Sequence, residues 1–219
     1  MNDDDLADFS GSARLFPLPN LVLFPGVMQP LRIFEPRYRQ MTADALDDDR
    51  LIGIVRQGPD GKYDFEMVGC LAKIVAEQRL EDGCYNLLLR GVKRFLAVSE
   101  IASEKLYRQV TVELLEEIPL ASAPHQHEIY RQRLLAAAPR WLPAQALIQS
   151  EFKKLLSGPM SLGMLADIIA FALPIDPRAK QILLEELDIQ TRLDKLLRLL
   201  ELKKAKTPSP KFPPDFSAN

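Results

Sequence analysis

The sequence predicts an α+β fold in which a β-rich half is followed by a helical half. Up to about residue 118, short apolar runs rich in Val, Ile and Phe alternate with turn signals, a spacing typical of a β sandwich or barrel. One segment of that half, beginning at Pro36, has helical spacing instead. After "IPLASAP" the strand signals stop, and apolar residues recur with the period of an α-helix.

Turn signals separate the predicted strands. "LIGIV" leads into "QGPDGK", and "MVGCLAKIVAEQRL" ends at "EDG", which turns the chain into "CYNLLLRG". "VKRFLAVSEI" follows as a further run. The last run, "YRQVTVELLEEI", alternates apolar Val110, Val112 and Leu114 with polar Thr111 and Glu113, which indicates a strand with one buried face.

The stretch "LFPLPNLVLFPGVMQPLRIFEPRY" combines apolar side chains with five prolines. Because proline has no backbone N–H, such a chain suits sheet edges and extended segments that lie over a barrel. We expect a strand to end or divert at each of Pro17, Pro19, Pro25 and Pro30, with a tight turn at Gly26. The neighbours expected to be buried are Leu15, Phe16, Leu21, Val22 and Phe24. Edge backbone beside exposed apolar side chains is how a domain binds an extended peptide, and plain core packing is the alternative.

The helix predicted after Pro36 places Tyr38, Met41 and Ala45 on one face. Its charges oppose the helix dipole, because arginines stand at its start and three aspartates at its end. We therefore expect a tertiary carboxylate partner for Arg37, with Glu35 as a local candidate; the alternative is that all these charges are solvated.

About five short helices with polar outer faces are predicted after residue 118, and they would form a small bundle. Prolines separate them, at Pro139, Pro143, Pro159 and Pro174. Ser161 and Asp188 are the expected N-caps of the third and the last helix. The last helix has a leucine stripe that packs inside its own bundle or pairs between chains. Its members are Leu193, Leu196, Leu197 and Leu200. We expect a β-rich subdomain at 12–118, a helical subdomain at 122–204 and a disordered tail at 205–219.

Composition indicates an ordinary globular protein and weakens several function classes. The formal charge is −2, from 28 basic and 30 acidic residues, so the whole molecule does not attract phosphate backbones. The start "MNDDDLADF" is acidic where a secretory signal is basic, and no apolar run is long enough to cross a membrane. Cys70 and Cys84 are too few for a disulfide framework and match no zinc spacing. We expect a cytoplasmic protein with both thiols reduced.

Several motifs together resemble the N-terminal substrate-binding domain of Lon proteases. That family begins with a Pro-Leu strand, a V-L-F-P-G turn and P-L-x-I-F-E-x-R-Y. The residues here that fit are Pro17, Leu18, Phe24, Pro25, Gly26, Pro30, Leu31, Ile33, Phe34, Glu35, Arg37 and Tyr38. "VGCLAKI" and "RGVKRFLA" match two further family motifs through Val68, Gly69, Ala72, Ile74, Gly91, Arg94 and Phe95. The segment from "LADIIAFALP" to "LLRLLE" resembles the helix pair that ends the region, so the resemblance covers roughly residues 15–201.

This resemblance implies a PUA-like β pseudo-barrel with one inserted helix, followed by a C-terminal helical bundle. In full Lon enzymes the region recognises unfolded or damaged proteins and feeds them to an ATPase ring with a Ser–Lys protease. Partners implied here are therefore unfolded proteins or peptides. Several residues of the following set must belong to the core, and the exposed ones are the candidate peptide contacts. The set is Phe16, Leu21, Leu23, Phe24, Met28, Phe34 and Tyr38. The motif residues expected to act structurally are Pro17, Pro25, Gly26, Glu35, Arg37, Gly69, Gly91, Arg94 and Phe95.

We expect no catalysis, no cofactor and no metal site, and binding that does not depend on ATP. "GPDGKY" is too short between its glycines for a phosphate-binding loop and lacks the final hydroxyl. The sequence stops after the helical half, where a Lon enzyme would continue into its ATPase and protease modules. His125 and His127 alone are weak indications of a metal site, and no serine lies in a G-x-S-x-G elbow.

Two alternative functions have some support in the sequence. PUA-like barrels of other families hold RNA, and Arg90, Lys93 and Arg94 beside Phe95 form a basic–aromatic cluster of suitable chemistry. The net negative charge opposes this, and Arg94 and Phe95 already belong to the structural motif. The second alternative is self-association through the leucine stripe of the last helix.

Overall fold

The computed structural model describes residues 3–58, 67–121, 123–141, 154 and 158–202. Six strands form one mixed sheet. They are β1 (Ser12–Leu18), β2 (Met28–Ile33), β3 (Leu51–Arg56), β4 (Val68–Arg79), β5 (Tyr85–Ile101) and β6 (Gln109–Leu114). Within the described residues five α-helices accompany them: α1 (Pro36–Leu46), α2 (Pro124–Ala137), α3 (Leu162–Ala172), α4 (Pro177–Glu185) and α5 (Ile189–Leu202). The predicted α+β class, with one helix inserted between strands, is confirmed.

The sheet closes on itself to form a five-stranded barrel. Its strand order is β2-β5-β4-β3-β1-β6, and β6 also pairs with β5. The ring therefore consists of β1, β3, β4, β5 and β6, while β2 extends beyond it, paired with β5 alone among the described strands. Within the ring β1 and β3 run parallel and the other pairs are antiparallel.

Alternate residues of the ring strands fill the barrel interior. They form one buried apolar cluster, made of Ala13, Leu15, Val55, Leu71, Phe95, Ala97, Val110 and Val112. Gly53 lies between two of these side chains, where space is tight. A Cβ at this position would come within 3.1 Å of both Ala13 and the Phe95 ring. The opposite face of β1, β3 and β4 contributes Phe16, Ile54, Cys70 and others to a larger cluster, which also contains the buried face of every described helix. The helices therefore share a core with the outside of the barrel.

Two of the four prolines lie inside strands, so the expectation that each would end or divert one is wrong for Pro17 and Pro30. Pro17 tolerates its place because β6 pairs only with residues 12–14 of β1, which leaves β3 as the single neighbour at Pro17. Pro30 lies in β2, which among the described strands pairs only with β5. In both places one side of the strand needs no N–H, so the sheet-edge interpretation of these prolines is correct.

The runs "CYNLLLRG" and "VKRFLAVSEI" are one continuous strand, β5, and not two. Gly91 at the boundary stays in the strand, paired with Ala72 of β4, and a shift of register between Leu71 and Ala72 absorbs Val92 as a bulge. The first half of β5 pairs with β2 and β4, and the second half pairs with β4 and β6. This long strand therefore joins the barrel to its extension.

Two helices of the helical half begin at the capping residues predicted from the sequence. Ser161 Oγ accepts a hydrogen bond from the Met164 N–H at the start of α3, and Asp188 Oδ1 accepts one from the Thr191 N–H at the start of α5. Both predicted caps are confirmed. The helix predicted over "AQALIQSEFKKLL" and the tail at 205–219 lie outside the described residues. The leucine stripe of α5 is buried in the chain's own core, with exposed fractions of 0–6%.

An ionic network fastens the helices to the barrel. Arg94 of β5 donates to both carboxylate oxygens of Asp167 of α3, at 2.7 and 2.9 Å, and its Nε donates to the Leu184 carbonyl of α4 at 2.8 Å. Arg192 of α5 lies 3.3 Å from Asp167 and also pairs with Glu117, which accepts from Arg94 as well. Burial opposes the charge of Arg94, but Asp167 and Glu117 raise its pKa above the ordinary arginine value. Two cations and two anions therefore neutralise one another at the junction.

In the part of the chain that the structure describes, no helix has the length and apolarity that crossing a bilayer requires.

Candidate functional site

Four of the seven candidate contact residues belong to the core. The exposed fractions of Phe16, Leu23, Phe24 and Tyr38 lie between 0 and 6%. Tyr38 packs against Phe16, with ring centroids 4.4 Å apart, and lies under the Arg37 guanidinium. Such side chains cannot reach a partner in the folded chain, so for these four the core-packing alternative is correct.

The other three are at least partly exposed, and two of them flank β2. Met28 at the start of the strand is 45% exposed, Phe34 just after its end is 47% exposed, and Leu21 is half-buried. Within β2 the even-numbered residues Met28, Pro30 and Arg32 are exposed, whereas Ile33 is buried. We call the segment from Met28 to Phe34 the β2 edge, because it combines an edge strand with large exposed apolar side chains.

The backbone of the β2 edge has a defined polarity. Gly91 of β5 donates its N–H to the Val27 carbonyl, so the odd-numbered residues that follow direct their backbone groups toward β5. Met28, Pro30 and Arg32 then direct theirs away from β5. Pro30 has no N–H to offer, and its carbonyl accepts a hydrogen bond from the Gln29 side chain at 2.8 Å. The outward donors of the β2 edge are therefore the N–H groups of Met28 and Arg32.

A side chain from the helical half lies close to the start of the β2 edge. Met164 of α3 is 39% exposed, and its methyl group would be 2.8 Å from a Cβ placed on Gly26. Gly26 has φ of +78°, so glycine suits this turn in both conformation and space. Met164 was not predicted from the sequence as a surface residue near β2. It could have been recognised as a large apolar residue that lies off the buried face of α3, the face formed by Leu165, Ala166 and Ile169.

The motif glycines allow close approach of neighbouring groups. A Cβ on Gly91 would lie 2.1 Å from the Phe24 carbonyl oxygen, and one on Gly69 would lie 2.5 Å from the Phe95 ring. Gly91 therefore lets the segment before β2 lie directly on β5, and its carbonyl accepts from the Gly26 N–H at 2.9 Å. These contacts fix where the β2 edge begins.

The charges around α1 are paired within the chain. Arg37 Nε donates to Glu35 at 2.9 Å, which confirms the expected local partner. At the other end of α1, Asp48 and Asp49 pair with Arg14 of β1. The arrangement that opposes the helix dipole is thus compensated by nearby opposite charges. Only the Arg14–Asp49 pair is largely buried, whereas Arg37, Glu35 and Asp48 are paired and also exposed to solvent.

The basic cluster that motivated the RNA alternative is engaged inside the protein. Arg90 pairs with Asp5, Lys93 pairs with Glu116, and Arg94 is 2% exposed within the ionic network. Phe95 is fully buried in the barrel interior. The four residues therefore do not form one accessible basic–aromatic surface, so this cluster does not favour RNA binding.

The titratable groups offer little reactive chemistry in the described part of the chain. Burial raises the pKa of the Cys70 thiol to about 12, so at neutral pH it is protonated and a poor nucleophile. No group of three or more His, Cys, Asp or Glu side chains with metal-binding geometry occurs among these residues. A shallow depression of about 360 Å³ lies where β1 and β3 end beside the start of α4. Its charged lining is Arg56, Asp176 and Arg178, which is not a nucleophile–base pair.

These residues define one class of domain. It is a five-stranded barrel with an edge-strand extension, and buried charges fasten the barrel to a small helical bundle. The family model described as "ATP-dependent protease La (LON) substrate-binding domain" matches residues 12–201. The chain belongs to this family, as the sequence resemblance indicated.

Relatives and solved structures agree with that assignment. Lon protease 2 from Myxococcus xanthus is 28% identical over 87% of this chain, and a Lon protease from Paraburkholderia phytofirmans is 30% identical over 84%. The chain spans about a quarter of these relatives, because the match covers 23% of each. A Lon N-terminal domain protein from Xanthomonas campestris superimposes with a TM-score of 0.64 at 26% identity, covering 85% of this chain and 97% of that one. The N-terminal domain of the Mycobacterium avium complex Lon protease has the same fold, with a TM-score of 0.66 at 20% identity. That superposition covers 86% of this chain and 97% of the other.

Proposed function

We propose that this domain binds extended apolar segments of unfolded or partner proteins along the β2 edge. The observation that carries the proposal is an edge strand with large, half-exposed apolar side chains at both of its ends, Met28 and Phe34. A client segment would pair with the outward N–H groups of Met28 and Arg32 and place its own side chains on Met28 and Phe34. Membership in a substrate-binding family supports the same conclusion.

Binding of this kind requires neither nucleotide nor metal, so we propose a non-catalytic recognition role that is independent of ATP. Affinity would come from buried apolar surface and strand pairing, both of which form without a bond being made or broken. Delivery of the bound clients to a protease would be a separate step, and binding does not require it.

The contact residues can be tested by side-chain substitution. We expect Phe34→Ser or Met28→Ser each to raise the Kd for a fluorescent, reduced and carboxymethylated α-lactalbumin by about five- to tenfold, because each removes roughly 1 kcal/mol of apolar burial. The matched control is Leu106→Ser, which alters a side chain that is 63% exposed in the loop between β5 and β6. Fluorescence anisotropy measures all three. Equal effects of Phe34→Ser and Leu106→Ser, or no binding by the unmodified protein at micromolar concentrations, would refute the proposal.

Strand pairing can be tested by modifying the peptide ligand and leaving the protein unchanged. A ten-residue apolar peptide is compared with two versions that are N-methylated at alternate positions, one at odd and one at even residues. Since only one set of amides faces the strand it joins, one version should lose binding and the other should keep most of it. Equal loss in both versions would argue against pairing at an edge. The same titrations with and without MgATP should give one Kd, and a nucleotide-dependent Kd would contradict ATP independence.

A further inference from the structure

The acidic segment that precedes the barrel is itself bound to it. Residues Asp3–Leu6 form a short 3₁₀ turn, closed further on by the Phe9 N–H donating to the Leu6 carbonyl. Both Asp5 carboxylate oxygens accept from Arg90 of β5, at 2.8 and 2.7 Å, and the Asp5 side chain is only 15% exposed. We call residues 3–9 the N-terminal strap.

The strap binds a pair of like charges that lie side by side. Arg90 and Lys73 are directly opposite each other on β5 and β4, an arrangement that is unfavourable without a counter-charge. The Asp5 carboxylate supplies that charge at Arg90, and the Asp5 carbonyl lies 3.5 Å from the Lys73 ammonium group. Lys73 also donates to the Asp49 carbonyl at 2.8 Å, which holds its side chain in this position.

The apolar residues of the strap contact the barrel interior. Leu6 and Phe9 pack against the interior cluster that contains Leu15, Leu71 and Phe95. Because the strands wall that cluster on all sides, a side chain from outside the ring can reach it only at an end of the barrel. Leu71 and Lys73 are two positions apart on β4, so the end that carries Lys73 and Arg90 is the one that the strap covers.

We propose that this end of the barrel is a second peptide-binding site, specific for segments in which a carboxylate is followed by apolar residues one and four positions later. The N-terminal strap occupies it in cis through Asp5, Leu6 and Phe9. The site lies on the barrel ring and not on β2, although it adjoins the β2 edge, because Arg90 is the cross-strand partner of Met28. The two sites differ in what they recognise, since this one requires a carboxylate and the β2 edge does not. A strap tethered this closely has an effective concentration on the order of millimolar, which makes it a strong competitor of any partner segment.

The experiment measures binding of a fluorescein-labelled peptide, NDDDLADFSG, to the 219-residue chain. In a strap variant, Asp5→Asn/Leu6→Ser/Phe9→Ser, the site is vacated and the Kd should be at least about tenfold lower than for the unmodified protein. Adding Arg90→Gln to the strap variant should abolish the gain. The matched control is Arg133→Gln. It removes a cation of α2 from its surface pair with Glu201 of α5 and should leave the gain in affinity intact. Binding to the strap variant that is no tighter than to the unmodified protein, or that is indifferent to Arg90→Gln, overturns the proposal.

A purely structural strap would give a different result. The strap variant would then unfold at a much lower temperature and bind no peptide. That outcome, together with a negative result in a second measurement, also overturns the proposal. The second measurement uses the unmodified protein and follows hydrogen exchange of the Phe9 amide. Excess NDDDLADFSG should accelerate this exchange, whereas a peptide with the three strap substitutions should not. No acceleration means that the strap is not exchanged for a segment in trans, and the proposal fails.

Discussion

Gly91 shows how one residue without a side chain determines the position of a whole segment. Its backbone touches the Phe24 carbonyl, where a Cβ would approach to 2.1 Å, and its own carbonyl receives the Gly26 N–H. The turn before β2 is therefore seated on β5 by backbone contact. Sequence similarity identified Gly91 as a motif residue, but only the structure shows which group approaches it.

We expect Gly91→Ala to lower the free energy of unfolding by about 2–3 kcal/mol, because the added methyl group would overlap backbone atoms that cannot rotate away. Chemical denaturation measures the change. Ser99→Ala, at an exposed position of the same strand, is the control and should stay within about 0.5 kcal/mol. If the two variants are equally stable, the close approach of Phe24 to Gly91 is not the constraint described here.

At the scale of elements, a half-buried lysine connects two helices. Lys180 of α4 donates to the Phe171 carbonyl near the end of α3, and its ammonium group lies 5.3 Å from the centre of the Phe171 ring. Burial lowers the pKa of Lys180 from 10.5 to about 8. The connection is therefore sensitive to pH above neutrality.

The sign of this effect follows from proton binding. Between about pH 8 and pH 10.5 the unfolded chain keeps the Lys180 proton while the folded chain has lost it. Raising the pH through this window should therefore increase the contribution of Lys180 to the free energy of unfolding. We expect the difference in stability between the unmodified protein and Lys180→Met to shift in favour of the unmodified protein over this range. A difference that is constant with pH in denaturation experiments would show that Lys180 titrates normally.

The elements were predictable from sequence to the extent that their signals are local. Alternating Val110 and Val112 predicted β6, and Ser161 and Asp188 predicted helix starts, because each depends on residues within one turn or strand. The continuity of β5 was not predictable, since the bulge that joins its halves depends on the register of β4. Which residues of the proline-rich stretch are exposed was also not predictable. Phe24 and Phe34 are the same residue type, and only tertiary packing buries the first and leaves the second 47% exposed.

Buried charges join the two halves at the scale of the whole molecule. Arg94 of the barrel and Asp167 of α3 are 2% exposed each, and together they span the boundary between sheet and helices. Paired burial of this kind adds little net stability, but removing one partner leaves the other without compensation. We infer that the network specifies how the helices are placed on the barrel more than it strengthens the fold.

We expect Arg94→Met to destabilise the protein by about 3–5 kcal/mol, because it leaves Asp167 buried beside a weaker set of partners. The double variant Arg94→Met/Asp167→Leu should recover a substantial part of that loss, since both buried charges are then gone. Denaturation of the two single variants and the double variant completes the cycle. Additive losses in the double variant would mean that the two side chains do not depend on each other.

The same pairing bears on the order in which the protein can mature during synthesis. Asp167 follows Arg94 by 73 positions, so all six strands have left the ribosome before α3 and α5 exist. At roughly 5–20 residues per second, the newly made barrel waits several seconds with Arg94 facing water and the outer faces of β1, β3 and β4 uncovered. A translational pause between residues 114 and 167 would prolong that interval, and it would give chaperones their main opportunity to act on this chain.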